Sequence, residues 1–418
     1  MKNYVFIIPS ICNIGGAQLY LVEKLHYLQE KGWHVDVIYA RRDVLLIKEL
    51  EKYIDNCFPI LDYSIMYNRQ GTVRKYAKVI ADLISKEQYE EIVIESCTVS
   101  ISTWGEIVAR ELSCKHICFA FEELFEMSRS QLEFAYFKHQ RHELAGIRPQ
   151  SVPLMFKDSK YIIDNPEHYI ACSMSSIGEA ENPYGDSLDK YDVVLGSFGR
   201  LDKGFVWDAL LQMHEYFTKH EGKKYAVLLI GDTKDTKFKN KIYALFENLA
   251  DVFITGEVCP APLSLVKQVD VFVSSAGAAT ATATHGIPTI AISPETFKPN
   301  GILDYTTKYN IMAPKPSDKS TSELIEDIID NQYCHAHSPM GIFKDYYKNK
   351  HDNNWREFDR QMKIAQDYRA PKEYYDVFKI SLEGKRKWAG YYCKIFGFTI
   401  FAKSIAIAKK LFGTLIKG

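Results

Sequence analysis

Residues 193–204 read VVLGSFGRLDKG. An apolar run of strand length ends on Gly199, the cations Arg200 and Lys203 follow three residues apart, and a helical pattern opens near Gly204. A run that stays apolar at successive positions is buried on both faces, and with a turn and a helix directly behind it, it reads as one step of a parallel sheet. It is also a restart. Upstream, YVFIIP (4–9), VDVIYA (35–40), EIVIES (91–96), KHICFAF (115–121) and YIACS (169–173) alternate with helical patterns. Downstream, YAVLLIGD (225–232), DVFITG (251–256), DVFVSS (270–275) and PTIAIS (288–293) form a second series. Two such series predict two α/β domains, each built on a parallel sheet with crossover helices.

A chain of 418 residues suits two domains, and 46% apolar with 25% charged residues is ordinary globular composition, which excludes disorder and a disulfide scaffold. The polar, turn-forming segment Ser176–Tyr191 reads as the linker, giving an N-terminal domain over 1–180 and a C-terminal one over 181–350. A helical segment over 351–384 follows, in which 355–379 is expected to return to the first domain, and then a tail over 385–418. The short run YVFIIP fits a buried strand better than the apolar core of a secretory signal. Nine cysteines, odd in number and scattered through apolar runs, point to a reducing compartment.

The net charge of −1 conceals an asymmetry: residues 385–418 carry eight basic side chains and no acidic one, leaving 44 basic and 53 acidic, a net −9, in the first 384. An acidic body disfavours nucleic acid as a partner. The tail mixes its lysines with Trp388, Tyr391, Tyr392, Phe396, Phe398, Phe401 and Phe412, and its longest uncharged run is eight residues, too short to span a bilayer. Such a basic, aromatic, amphipathic segment suits the anionic inner face of a membrane, making the protein cytoplasmic and peripheral; docking on the protein itself or on a partner chain is the alternative.

Arg200 offers a planar fork and Lys203 a compact charge, and together they can neutralise one diphosphate. In DVFVSSAGAATATATHGIP (270–288), Ser275 is a plausible N-cap before Ala276, Gly277 and a helix of small residues, whose N-terminal N–H groups suit the same anion. Gly15 and Gly16 form a strand–turn–helix step behind the first strand, where the backbone can approach a ligand or simply turn. Glu122 and Glu123 follow KHICFAF and can bind hydroxyls, act as a base, or merely open a helix. Cys334, His335 and His337 lie within four residues with no evident fourth ligand, so no metal site is expected.

IGGAQ (14–18), GRLDK (199–203), LLIGD (228–232), VFITG (252–256) and the strand-to-HGIP element (270–288) together resemble, in this order, retaining GT-B glycosyltransferases, the group 1 or family 4-like enzymes of bacterial surface-polysaccharide synthesis. The resemblance spans roughly residues 4 to 300. It implies two Rossmann-like domains facing across a cleft, a nucleotide-sugar donor on the C-terminal domain, a glycan or lipid-linked glycan acceptor on the N-terminal one, and no obligatory metal or other cofactor. It places Gly16 toward the donor phosphates or sugar, Arg200 and Lys203 at the diphosphate, and Gly256, Glu257 and Val258 at the nucleobase, with Gly15, Gly199, Gly231, Ser275, Ala276 and Gly277 as further donor-binding residues. One departure stands out: where the family carries two glutamates, this chain has Val273 and Ala281, with Thr280, Thr282, Thr284 and His285 nearby either as polar substitutes or simply as helix surface. The implied function is transfer of a hexose or related sugar, with retention, from a nucleoside-diphosphate sugar to a lipid-linked saccharide or other surface-glycan precursor, as in capsule or lipopolysaccharide synthesis. A scaffold subunit lacking turnover, or a nucleotide-sugar 2-epimerase, are the alternatives.

Overall fold

The computed structural model describes residues 1–12, 14–121, 127–147, 149–168, 177–343, 350–366, 373–397, 400 and 404. The chain divides into two units, Met1–Cys172 with Asn354–Gly418, and Ser173–Asn353.

In the first unit, β1 (Lys2–Ile8), α1 (Gly16–Glu30), β2 (His34–Tyr39), α2 (Gln70–Ile84), β3 (Glu91–Ser96), α3 (Val99–Leu112), β4 (Lys115–Ala120), α4 (Arg129–Gln140), β5 (Leu144–Gly146), α5 (Ser151–Phe156) and β6 (Glu167–His168) follow in order. The sheet runs β2-β1-β3-β4-β5-β6, parallel at every pairing. Six of the seven β1 residues are buried, as a strand covered on both faces requires. On α2, Val73, Ala77, Ile80, Ala81 and Ile84 are buried at helical spacing. Beyond β2 a further strand is reduced to one parallel bridge between Tyr39 and Cys57, where the Phe58 N–H donates to Tyr39 O at 2.7 Å.

Two ionic clusters lie inside this unit. Lys24 and Glu95 meet at 2.5 Å with neither side chain exposed, and the Tyr4 and Tyr20 hydroxyls donate to the same carboxylate. Around Glu106, Lys138 donates at 2.9 Å and His116 Nδ1 lies at 2.7 Å, while Glu143 shares Lys138 and the Ser96 hydroxyl meets His116 Nε2. Burial pushes the Glu106 carboxyl up, but Lys138 and the His116 hydrogen bond outweigh it and hold it down to about 2. His116 is pushed down, by burial first and by Lys138 next, so it stays neutral.

The second unit contains β7 (Ile177–Gly178), β8 (Val193–Phe198), α6 (Gly204–Lys219), β9 (Tyr225–Ile230), α7 (Thr236–Leu245), β10 (Asp251–Ile254), β11 (Ala261–Pro262), α8 (Leu263–Val266), β12 (Val271–Ser274), α9 (Ala276–Thr284), β13 (Thr289–Ile292), β14 (Pro299–Ile302), α10 (Thr321–Ile329) and α11 (Tyr333–Ala336). Its sheet runs β10-β9-β8-β12-β13-β14, with only β14 antiparallel. This is the doubly wound Rossmann order, whose ligand crevice lies at the carboxyl ends of the strands where the winding reverses, here β8 and β12. Residues 177–191, expected as a linker, belong to this unit: Ile177 and Leu188 are buried in its core, and the Tyr184 hydroxyl donates to Ile254 O at 2.8 Å. The turn formers shape the unit's own surface.

Beyond Asn353 the chain rejoins the first unit. On α12 (Lys350–Gln366), Phe358, Met362 and Ala365 are buried; Tyr27 donates to Asp359 at 2.7 Å, and Lys115 Nζ to Ile364 O at 2.7 Å. The final described helix is α13 (Lys385–Phe396).

Candidate functional site

At the carboxyl end of β8, the Phe198 N–H donates to Ser274 Oγ on β12 at 3.0 Å, tying the two strand ends together. The Gly199 N–H donates to Ile230 O at 2.9 Å, and Gly199 sits at φ +124, a glycine conformation. Gly231, at φ +146, has no room for a side chain: a Cβ would stand 2.0 Å from the Gly199 carbonyl oxygen. The Gly231 N–H donates to Thr255 Oγ1 at 3.1 Å, and Gly231 bridges Gly256, itself at φ +77. The turns after β8, β9 and β10 are thereby laced into one ledge. Glu257 is exposed at its far end and Val258 half-buried against the apolar core.

Arg200 and Lys203 occupy the crest of the first turn. Arg200 Nε lies 3.6 Å from Asp202 in an exposed pair, a loose contact that leaves the guanidinium available. Lys203 is the N-cap residue of α6 and lies over the Phe205 ring at 5.9 Å, with no carboxylate partner among the described residues. No acidic side chain stands in the first turn of α6. Two cations thus sit at the positive end of a helix, an arrangement that an anion would relieve.

Across the crevice, Ser275 caps α9 without accepting a helix N–H, and its hydroxyl, in a residue 4% exposed, has no hydrogen-bond partner. A buried donor left unpaired carries a desolvation cost that a ligand oxygen would remove. Ala276 is held at φ +54 by Asn310, whose carbonyl accepts from the Ala276 N–H at 2.7 Å and whose Nδ2 donates to Thr280 Oγ1 at 2.9 Å. Gly277 is exposed with open space beside it. A Cβ on Gly199 would lie 3.9 Å from that of Ala278, so the β8 turn and the start of α9 are neighbours. Gly199, Arg200, Lys203, Gly231, Gly256, Ser275, Ala276 and Gly277, read separately along the sequence, stand on the same edge of one sheet.

No protein-family model matches the sequence, and no curated protein matches it. Among solved structures, a glycosyltransferase from Rickettsia africae is similar over 91% of this chain and 99% of its own, with a TM-score of 0.61 at 14% identity. Anabaena HepE in complex with UDP covers 88% and 98%, at TM-score 0.56 and 13% identity. The lipopolysaccharide outer core galactosyltransferase WaaB in its apo form covers 87% and 99%, at 0.51 and 13%. The fold is GT-B.

In this GT-B chain the two positions at which the sequence resemblance would put glutamates hold core residues: Val273 is fully buried on β12, and Ala281 is 2% exposed in α9. The nearby threonines and His285 are hydrogen-bonded within the fold. Thr282 is fully buried and bonded to Thr289 at 2.9 Å; Thr284 donates back to Thr280 O at 2.9 Å, and His285 Nδ1 to Ala281 O at 2.8 Å. Thr280 is taken by Asn310. These groups satisfy the short helix itself.

In the first unit, Gly15 is the N-cap of α1 and Gly16 opens the helix onto free space, where a Cβ would meet nothing. Gln18 Nε2 donates to Ser10 O at 2.7 Å, closing the turn between β1 and α1. Glu122 and Glu123 lie outside the described residues. Asn310 and Thr255, which hold the α9 start and the ledge, went unread because each acts on a turn distant in sequence: Asn310 stands in no motif, and Thr255, though inside VFITG, bonds to Gly231 of a different turn. Cys334 and His335 lie on α11, and the His337 ring stacks on Tyr333 at 3.9 Å.

Proposed function

We propose that this protein is a glycosyltransferase that moves a hexose or related sugar from a uridine diphosphate donor, with retention at the anomeric carbon, to a lipid-linked saccharide or another precursor of a capsule or lipopolysaccharide. The observation that carries it is the unpaired, buried Ser275 hydroxyl at the start of α9, an element that neighbours the turn bearing Arg200 and Lys203. The choice of uridine rests on HepE, solved with UDP, and on the E. coli protein solved with UDP-2-fluoro glucose, similar at TM-score 0.53 and 10% identity.

As the bond from the anomeric carbon to the diphosphate oxygen breaks, charge builds on the leaving nucleotide. Arg200 and Lys203 neutralise it, with N–H groups of α9 and the Ser275 hydroxyl as donors. The Gly256–Val258 turn takes the base, and Gly15 and Gly16 let the backbone come close to the donor. Glu122 and Glu123 are the candidates for binding the acceptor hydroxyl or taking its proton. Because two side-chain cations already face the diphosphate, the reaction needs no metal, and transfer should persist in excess EDTA. We place the protein at the inner membrane face through residues 385–418; no helix among the described residues is long and apolar enough to cross a bilayer.

Replacing Arg200 and Lys203 together by alanine should lower transfer by about 10²–10⁴-fold, at roughly 1.5–3 kcal/mol per charged hydrogen bond, with unfolding by denaturant unchanged. Undiminished turnover would overturn the assignment. The buried Val273 and Ala281 favour one second reading, a nucleotide-binding subunit without turnover. UDP binding with neither transfer nor donor hydrolysis by the wild-type protein would establish it.

A further inference from the structure

The helix α13, with sequence KRKWAGYYCKIF, is two-faced in an unusual sense. One side docks on the first unit: Cys393 is 2% exposed, and a Cβ on Gly390 would stand 2.5 Å from Leu382 Cδ1 and 3.8 Å from the Met66 carbonyl oxygen. Glycine lets the helix lie directly on the 3₁₀ turn Ile65–Tyr67. Its carboxyl end is held by Arg69, whose Nε donates to Lys394 O at 2.6 Å and whose Nη2 donates to Ile395 O at 2.9 Å. These are among the carbonyls that every helix end leaves without an internal partner, so the guanidinium caps the helix and fixes its direction.

The opposite side would ordinarily be polar. Instead it carries Trp388, Tyr391 and Ile395, at 78%, 54% and 62% exposure, spaced i, i+3, i+7 and so lying within about 60° of one another on the helix. Lys387 and Lys394 are exposed along one border of this stripe, and Tyr392 and Phe396 along the other. The helix has four cations and no acidic residue, and residues 398–418 add four lysines and three phenylalanines. Large aromatic and aliphatic side chains turned fully outward, bordered by lysines, match a surface that is anionic at the headgroups and apolar just beneath. A protein partner would need acidic groups around an apolar groove; a bilayer offers both everywhere.

We propose that the Trp388–Tyr391–Ile395 stripe of α13 inserts into the headgroup region of an anionic bilayer, and that Arg69 is a positioning residue that holds this helix rigidly on the first unit while it does so. This rests on the membrane-borne acceptor proposed above, and it adds the docking face and its mounting. The lysines steer and the stripe inserts, so binding is expected to need both charge and apolar area.

The test is co-sedimentation of the full-length protein with vesicles of phosphatidylglycerol and phosphatidylethanolamine, against phosphatidylcholine alone. The wild type should bind the anionic vesicles, weaken as NaCl is raised, and ignore phosphatidylcholine. The triple variant W388S/Y391S/I395S should bind at least tenfold more weakly while keeping the wild-type thermal shift with UDP. Trp388 emission, taken as the difference between wild type and Trp388→Phe, should be quenched by brominated acyl chains. Arg69→Ala should weaken vesicle binding, Arg69→Lys should restore part of it, and amide exchange in α13 should rise in the alanine variant alone. Unchanged vesicle binding by the triple variant, absence of quenching, or a change in the oligomeric state of the triple variant without loss of vesicle binding would each overturn the proposal. Absence of a UDP shift in the wild type would instead strike the donor reading, leaving the vesicle result to stand by itself.

Discussion

Ser275 separates two kinds of contribution. In the unliganded protein its hydroxyl is a buried donor without a partner, so Ser275→Ala should leave the melting temperature unchanged or slightly higher, since about 1–3 kcal/mol of desolvation is relieved. The same change should shrink the UDP-induced thermal shift. A matched loss in both states would mean that the hydroxyl is packing, not a ligand group. Gly231→Ala is the harsher test: its methyl would meet the Gly199 carbonyl oxygen at 2.0 Å, so the turn bearing Arg200 must move, and UDP binding should fall at least tenfold. His116 gives a pH signature. Its folded pKa lies below the unfolded value of about 6.5, so as pH falls the unfolded chain takes up the proton first. The stability it confers is complete above about 6.5 and is lost as pH falls through the folded value, followed by that of Glu106 between about 4.3 and about 2. His116→Gln should flatten the slope of urea midpoint against pH between about 5 and 7. The glycines and cations of the turn after β8 were legible as a turn because they follow a strand directly in sequence. Glu106, His116, Lys138 and Glu143 were not: Glu106 and Lys138 sit on helices, where a charged residue reads as solvated surface, and nothing in the sequence brings them to His116 on β4 or to Glu143 ahead of β5.

At the level of elements, strands buried on both faces announced themselves as largely apolar runs: β3, β4, β8, β9, β12 and β13 fall within them, while β1 and β2 overlap theirs and start a little earlier, at Lys2 and His34. Short or edge pieces carried no such signal: β5 has three residues, β7 and β11 two each, and β14 is the antiparallel edge. The expected strand at 169–173 lies outside the described residues, and the sheet edge is traced by β6 just before it. Helix α3 contains a glycine at its centre, normally a weakness of about 1 kcal/mol relative to alanine. Here it is required, because a Cβ on Gly105 would lie 2.2 Å from Ser96 Oγ and 2.4 Å from His116 Nε2. Gly105→Ala should therefore destabilise the first unit by about 1–3 kcal/mol despite its better helix propensity, read as a lower denaturant midpoint at unchanged slope. A stabilised variant would show that the Ser96–His116 contact is loose enough to yield.

For the molecule as a whole, the restart of the strand pattern at Val193 revealed the number of α/β units, whereas the affiliation of the last helices needed side-chain contacts between residues more than 300 positions apart. Tyr27 meets Asp359, and Tyr20 meets Gln361. Removing everything beyond residue 384 should leave both units folded and able to bind UDP. Removing everything beyond residue 353 uncovers the surface under Phe358, Met362 and Ala365, and limited proteolysis should then cut the first unit well before the second. Comparable protection of both units would mean that α12 is dispensable.

The first unit is assembled from Met1–Cys172 and Asn354–Gly418, while the second is one uninterrupted piece of chain. On the ribosome this reverses the usual sequence of events, in which amino-terminal domains mature first. Residues 173–353 are all synthesised before α12 is complete, so the Rossmann unit of Arg200 and Ser275 can reach its native state while the earlier segment waits, its apolar face bare, for that helix to emerge. The nascent first unit is thus the stage of this protein's life that most needs a chaperone.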